Sequence, residues 1–260
     1  MDIKGKWALV TGASGGLGEA FARALADKGS NLVLAARSAD KLEAVAEKLR
    51  AASGVEVVTL AVDLTEPDAT SRLLGLVEDK GVPIDILVNN AGLGLHGDFL
   101  DRPCAETVGM LQLNIIALTE LTHAVAARMA KRGGGHILLV ASMTAFMPTP
   151  GYAAYAASKA YVRQFGEALH AELAGRNVTV TVVSPGLMDT GFLGAAGHAP
   201  SASMRRVMIA PELVARIGLD ALFARRQSVV AGTMNKVMAF ATRLLPRSMQ
   251  TRLAGDSMKS

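Results

Sequence analysis

The sequence predicts an α/β domain built on a doubly wound parallel sheet, and three observations lead to that class. Short β-branched runs alternate with longer segments whose apolar residues recur three and four apart. The strand-like runs are apolar at consecutive positions, as strands covered on both faces must be. No linker rich in Pro, Ser or charge and no internal repeat divides the chain, so residues 1–260 read as a single domain.

From the N-terminus, Trp7–Thr11 (WALVT) reads as a buried strand and residues 16–28 as a helix. Asn31–Ala36 (NLVLAA) is the second strand, followed by a helix over 39–52 rich in the strong helix formers Ala, Leu, Glu and Lys. Residues 55–62 form the third strand, 67–79 the third helix and Ile84–Asn89 the fourth strand. A long helical pattern covers 103–131. Next come a strand at 136–142, a helix at 153–174 and strand Val178–Ser184. Weaker signals place a helix near 211–225 and a short strand at 228–231. Parallel strands joined by helices imply right-handed crossovers. Residues 186–210 keep no period and read as a small insertion, and 235–260 form a tail. Chemistry in such sheets gathers beyond the carboxyl ends of the strands.

Composition narrows the function classes. Hydrophobic residues make up 50% of the chain, which supplies a large core and argues against disorder. Against 23 Asp and Glu stand 27 Lys and Arg, a net charge of +4 spread along the chain, so no patch points to nucleic acid. The single Cys104 can form no internal disulfide, and no metal site is expected. The N-terminal residues MDIKGKWALVTG lack the apolar stretch of a secretion signal. No run approaches the ~20 continuous apolar residues of a spanning helix. A cytoplasmic protein is expected.

After the first strand comes TGASGGLG at residues 11–18. Glycines between a strand and a helix let backbone N–H groups approach a pyrophosphate at the helix N-terminus, where the helix dipole favours negative charge. This is the context of a Rossmann fold. Gly12, Gly16 and Gly18 give one spacing, while Gly12, Gly15 and Gly18 give another, with Ser14 and Leu17 between them. At the end of the second strand, ~20 residues on, an acid would select the unphosphorylated cofactor by binding its ribose 2′-OH. The chain has Arg37 and Ser38 there and no acid. Arginine binds a phosphate bidentately and serine donates a hydrogen bond, which favours NADP(H) and leaves NAD(H) open.

Ser142 ends the fifth strand, and Tyr155 and Lys159 stand four apart at the start of the following helix, on one face. A tyrosine ordinarily titrates at about 10, too high for proton transfer near neutrality, and a nearby ammonium lowers it. A strand-end serine can hydrogen-bond a substrate oxygen.

Together these residues resemble the short-chain dehydrogenase/reductase family, in its single-domain branch. The matches are residues 11–18, Asp63 and Leu64 after the third strand, Asn89 to Gly92 after the fourth, Asn114 in the long helix, Ser142, Tyr155 and Lys159, then Ser184, Pro185, Gly186 and Thr190. The resemblance implies an oxidoreductase that moves a hydride between a nicotinamide and a carbonyl/alcohol pair. Tyr155 would be the acid/base, Lys159 would hold the nicotinamide ribose and lower the Tyr155 pKa, and Ser142 would orient the carbonyl. Asn114 would position a proton-relaying water. Asp63 and Leu64 would meet the adenine, Asn90, Ala91 and Gly92 would line the cofactor, and Thr190, after Pro185 and Gly186, would contact the carboxamide. A homodimer or homotetramer built on 103–131 and 153–174 is also implied.

Two features depart from the pattern. Gly15 stands where many NADP(H) members carry a basic residue, so Arg37 must supply most of the phosphate preference. Gly15 also permits the spacing of the longer branch that contains sugar-nucleotide epimerases. Substrate contacts are expected from 143–151, 187–204 and 93–96, whose Phe146, Met147, Leu187, Met188, Phe192, Leu193 and Met204 suggest an apolar pocket for a ketone, 3-oxoacyl or steroid-like substrate. His96 and His198 read as solvated loop histidines. The tail carries Lys236, Arg243, Arg247, Arg252 and Lys259 among apolar residues. It reads as a helix packed on the body or on a second subunit, with pocket capping or membrane contact as alternatives. The alternative functions are a non-redox epimerase or dehydratase with tightly bound cofactor, and a nucleotide-sensing binding protein.

Overall fold

Seven strands, β1 (Trp7–Thr11), β2 (Asn31–Ala36), β3 (Val57–Ala61), β4 (Ile84–Asn89), β5 (Gly135–Val140), β6 (Val178–Ser184) and β7 (Ser228–Val230), pair in parallel in the order β3-β2-β1-β4-β5-β6-β7. They come from a computed structural model that describes residues 2–258, apart from the side chains of 203, 257 and 258. The order steps outward from β1 to β3, then returns across β1 to β4. The connections leaving β1 and β4 therefore pass to opposite faces and open a crevice at the carboxyl edge.

Helices cover both faces: α1 (Gly16–Ala26), α2 (Ala39–Ser53), α3 (Ala69–Asp79), α4 (Cys104–Leu111), α5 (Leu118–Lys131) and α6 (Ala153–Glu172). Later in the chain come α7 (Phe192–Ala195), α8 (Ala202–Arg206), α9 (Pro211–Phe223), α10 (Thr233–Ala241) and α11 (Arg247–Met258). Consecutive strand residues feed two cores, because successive side chains point to opposite faces. Val10, Leu34, Val88 and Leu138 pack with Phe21, Leu42 and Leu219 of α1, α2 and α9. Leu9, Val33, Leu87 and Leu139 pack with Leu73, Leu121 and Val162 of α3, α5 and α6. Each such fully buried side chain contributes roughly 1.5–3 kcal/mol.

The expected strands and helices are present with ends moved by a few residues, and three segments differ in kind. The pattern at 103–131 is interrupted by a π turn, Gln112–Ala117. The insertion at 186–210 contains α7 and α8, tied at its base by a bridge between Met188 and Ile209. The tail is two helices, with Pro246 immediately before α11 and its carbonyl accepting from the Gln250 N–H at 3.1 Å; its Lys259 lies outside the described residues. Residues Cys104–Lys131 are also, by length and a mean hydropathy of 1.3, sufficient to cross a membrane, although no continuous apolar run announces it. Here that apolarity is spent on the core through Met110, Leu113, Leu121 and Met129.

Candidate active site

At the carboxyl end of β1 the chain turns through Gly12 and Gly16, at φ 66° and 56°. A Cβ on Gly18 would lie 2.1 Å from the Gly12 carbonyl oxygen, and one on Gly12 would lie 2.9 Å from Asn90 Nδ2. A Cβ on Gly15 would meet nothing within 4 Å. The constrained spacing is therefore Gly12, Gly16 and Gly18, and the alternative through Gly15 has no geometric basis. The turn is strapped to the end of β4. Thr11 Oγ1 accepts from the Asn90 and Ala91 N–H groups at 3.0 and 2.9 Å, and Asn90 Nδ2 donates to the Thr11 carbonyl at 2.9 Å. No side chain caps α1, so its first N–H groups remain free for an anion. This cradle of three crowded glycines at an uncapped helix end fits a dinucleotide pyrophosphate.

The turn forms one wall of a cleft of about 1200 Å³, above the roughly 300–1,000 Å³ of ordinary small-molecule sites. Of the residues singled out from the sequence, Gly12, Ser14, Gly16, Leu17, Gly18, Arg37, Asn90, Ala91, Gly92, Ser142, Tyr155, Lys159, Pro185, Gly186 and Thr190 line it. Ser38, Asp63, Leu64 and Asn114 do not. Ser38 stands at the N-cap of α2, Leu64 is buried in the core, and the Asp63 carboxylate accepts from the Thr65 N–H and hydroxyl at 2.9 and 2.8 Å. Arg37 lies 4.0 Å from that carboxylate with its side chain 63% exposed, which leaves it loosely held. Lys41, in the first turn of α2, joins it on the cleft wall.

Beyond β5, Ser142 caps the 3₁₀ turn Met143–Phe146, its hydroxyl accepting from the Thr144 N–H at 3.2 Å. Tyr155 and Lys159 are both buried on α6. Lys159 Nζ stands 5.9 Å from the Tyr155 ring centroid and donates to the Val140 carbonyl at 2.9 Å. Asn114 is turned inward by the π turn, whose wider ring shifts the residues that follow. Its amide exchanges hydrogen bonds with the Leu93 N–H and carbonyl, each at 2.9 Å, and donates to Ser158 Oγ at 3.1 Å. Gly92 sits close to both: a Cβ there would lie 3.2 Å from Asn114 Oδ1 and 3.3 Å from Lys159 Nζ, so these side chains would have to give by a few tenths of an ångström.

Burial pushes the Tyr155 phenol up to about 12, against a smaller downward pull from the Ser142 hydroxyl. Burial also pushes Lys159 down to about 8. Desolvation is the larger influence on Tyr155, because burial disfavours the charged phenolate. The phenol keeps its proton through the neutral range.

The remaining walls are apolar: Met147, Leu187, Met188, Phe192, Leu193 and Met204 line the cleft. Phe146 does not; it lies under the Arg163 guanidinium, 4.1 Å from its ring centroid. The reading of His198 as a solvated loop histidine is corrected. It is buried, its Nδ1 is 2.8 Å from the Tyr152 hydroxyl, and its ring stacks on the half-buried His96 at 4.1 Å. Burial lowers the pKa of both histidines, so they are neutral at neutral pH. The Tyr155 ring lies 5.8 Å from Tyr152 and 5.7 Å from Phe192. Sequence reasoning missed Lys41, Tyr152 and the tail residues Met234, Asn235 and Met238, all of which line the cleft. Spacing could have found two of them. Lys41 follows Arg37 by four residues, and Tyr152 precedes Tyr155 by three.

The short chain dehydrogenase family model matches residues 6–200. A very-long-chain 3-oxoacyl-CoA reductase of Podospora anserina is 40% identical over 194 residues, 73% of this chain and 56% of the reductase's own length. A short-chain dehydrogenase from Sphingobium yanoikuyae in complex with NADPH superposes with a TM-score of 0.82 at 30% identity, covering 92% of this chain and 93% of that one. A 7β-hydroxysteroid dehydrogenase superposes with a TM-score of 0.88 at 27% identity, covering 98% and 99%. The chain belongs to the short-chain dehydrogenase family.

Proposed function

From a short-chain dehydrogenase with this cleft, we propose an NADP(H)-dependent carbonyl reductase or alcohol dehydrogenase that acts on an apolar substrate and uses Tyr155 as acid/base. The observation that carries the reading is the convergence of Ser142, Tyr155 and Lys159 in one cleft with the glycine turn. NADPH, where bound, supplies the hydride. The Gly12–Gly18 turn and the open end of α1 hold its pyrophosphate, and Arg37 and Lys41 hold a 2′-phosphate. Ser142 donates a hydrogen bond to the substrate oxygen and fixes the carbonyl beside Tyr155. The Tyr155 O–H then gives its proton to that oxygen as negative charge develops there. Lys159 stabilises the phenolate left behind, and Asn114 holds the Leu93 backbone that forms the adjoining wall. With its pKa raised to about 12 the phenol is protonated near pH 7, the form that can donate to a developing alkoxide.

The apolar wall supports ketones, 3-oxoacyl thioesters or steroids over charged sugars, in line with the activities named for two of the similar proteins. We place the enzyme in the cytoplasm as a homodimer or homotetramer. Exposed Val108 and Ile116 on the 104–131 helical run supply apolar surface for that contact. The test is NADPH oxidation against a panel of these carbonyls. Wild type turns over an apolar member, and Tyr155→Phe lowers kcat at least a hundredfold while NADPH binding is kept. Undiminished turnover by Tyr155→Phe would remove Tyr155 from the chemistry.

A further inference from the structure

The two tail helices are built inside out. On α10 the fully packed position is the small Ala239, while Met234, Val237, Met238 and Phe240 face outward. The same surface continues through Leu244, Met249 and Leu253, with Phe240 60% and Leu244 73% exposed. Among the described residues, half of all exposed large apolar side chains fall between 233 and 256. Such a concentration in a folded chain marks a surface that meets something apolar. The geometry is firm: Gln250 Nε2 donates to the Thr242 and Leu245 carbonyls at 2.7 and 2.8 Å and locks α11 to the end of α10. Pro150 packs against Gly255.

Charge selects the occupant. Lys236, Arg243, Arg247 and Arg252 are exposed among these apolar residues, and Asp256 is the one acid between 233 and 256. A twofold contact would set this patch against itself, cations on cations. A surface that is apolar beneath and anionic above accepts both the side chains and the charges. We propose that α10 and α11 dock the protein on an anionic lipid surface. Met234 and Met238 belong both to the exposed face and to the cleft lining, so docking places the cleft mouth at the lipid boundary. The docking stands apart from the reaction assigned above and would hold whatever that reaction proved to be.

The full chain is mixed with vesicles of phosphatidylcholine alone or with added phosphatidylglycerol, and binding is read by sedimentation. Binding is expected only with phosphatidylglycerol, and it weakens as salt is raised. Arg247→Gln with Arg252→Gln lowers affinity roughly thirtyfold, at about 1 kcal/mol per cation. Phe240→Ser with Leu244→Ser, both outside the cleft lining, lowers it at least as much while circular dichroism and NADPH binding stay at wild-type values. Failure to bind phosphatidylglycerol vesicles overturns the proposal, as does binding that survives the serine pair. A wild-type dimer that the serine pair converts to monomer, with no vesicle binding, also overturns it and assigns the face to a second copy of the chain.

Discussion

Replacing Arg37 with alanine removes a guanidinium from the carboxyl end of β2 without disturbing the body of the protein. Its only acidic neighbour among the described residues, Asp63, is 4.0 Å away, and the side chain is 63% exposed. An exposed pair of that kind is worth about 0–1 kcal/mol, so stability should hardly change. Towards a 2′-phosphate the same group offers charge-assisted hydrogen bonds of about 1.5–3 kcal/mol, and exposure to solvent favours the lower end. About 1.4 kcal/mol is tenfold. The ratio of kcat/KM for NADPH over NADH therefore falls about tenfold in Arg37→Ala. It falls a few-fold further when Lys41→Ala is added, nearly all of it through the KM for NADPH. The NADH value stays near wild type, because the 2′-hydroxyl that NADH carries in place of the phosphate has no charge for either cation to pair with. Steady-state kinetics with both cofactors at fixed ionic strength measure this. A double variant that keeps the wild-type ratio would refute the assignment of a phosphate site to this wall.

Three further outcomes follow from the geometry. Gly18→Ala sets a Cβ against the Gly12 carbonyl, 2.1 Å away, so the turn must deform; NADPH affinity, read by fluorescence, drops at least a hundredfold, and tight binding would show that the turn does not hold the pyrophosphate. Lys159 is held near 8 when folded, against about 10.4 unfolded. The unfolded chain binds more protons between those values, so this group makes stability rise with pH from about 8 to 10, by roughly 2–3 kcal/mol, and the cost is fully present below 8. Urea unfolding of wild type against Lys159→Met should isolate that rise, and parallel pH profiles for the two would contradict it. His198→Ala leaves the buried Tyr152 hydroxyl without its partner; the loss is about 1–3 kcal/mol of stability, seen in thermal unfolding, and an unchanged Tm would mean that the pair holds nothing.

Legibility in the sequence follows the range of the interactions involved. The strands were readable because each is a short run that two cores demand be apolar on both sides, as Leu32, Val33 and Leu34 show by alternating between them. Tyr155 and Lys159 were readable because four residues on one helix fix their relation locally. The π turn was not. Residues 112–117 have ordinary helical composition, and the extra residue that turns Asn114 inward is stabilised by partners at Leu93 and Ser158, far away in sequence. His198 was misread for the same reason, since its burial depends on Tyr152 and His96, both contributed by other loops.

The same distinction changes what some of the recognised residues do. Asn90 was read as a cofactor-lining residue, and it does line the cleft, yet its side-chain N–H groups are committed to the Thr11 and Gly12 carbonyls. The residue therefore acts first on the protein, fixing the loop after β4 to the turn after β1. Gly12 and Gly18 are tied into that arrangement, because added methyl groups would meet Asn90 Nδ2 at 2.9 and 2.8 Å. A motif that looks like two separate ligand contacts, eighty residues apart in the chain, is one mechanical unit across the switch point of the sheet. Substitution at Asn90 should then disturb the glycine turn and the pyrophosphate it holds. The apolar lining formed by Phe192, Leu193 and Met204 should be left alone.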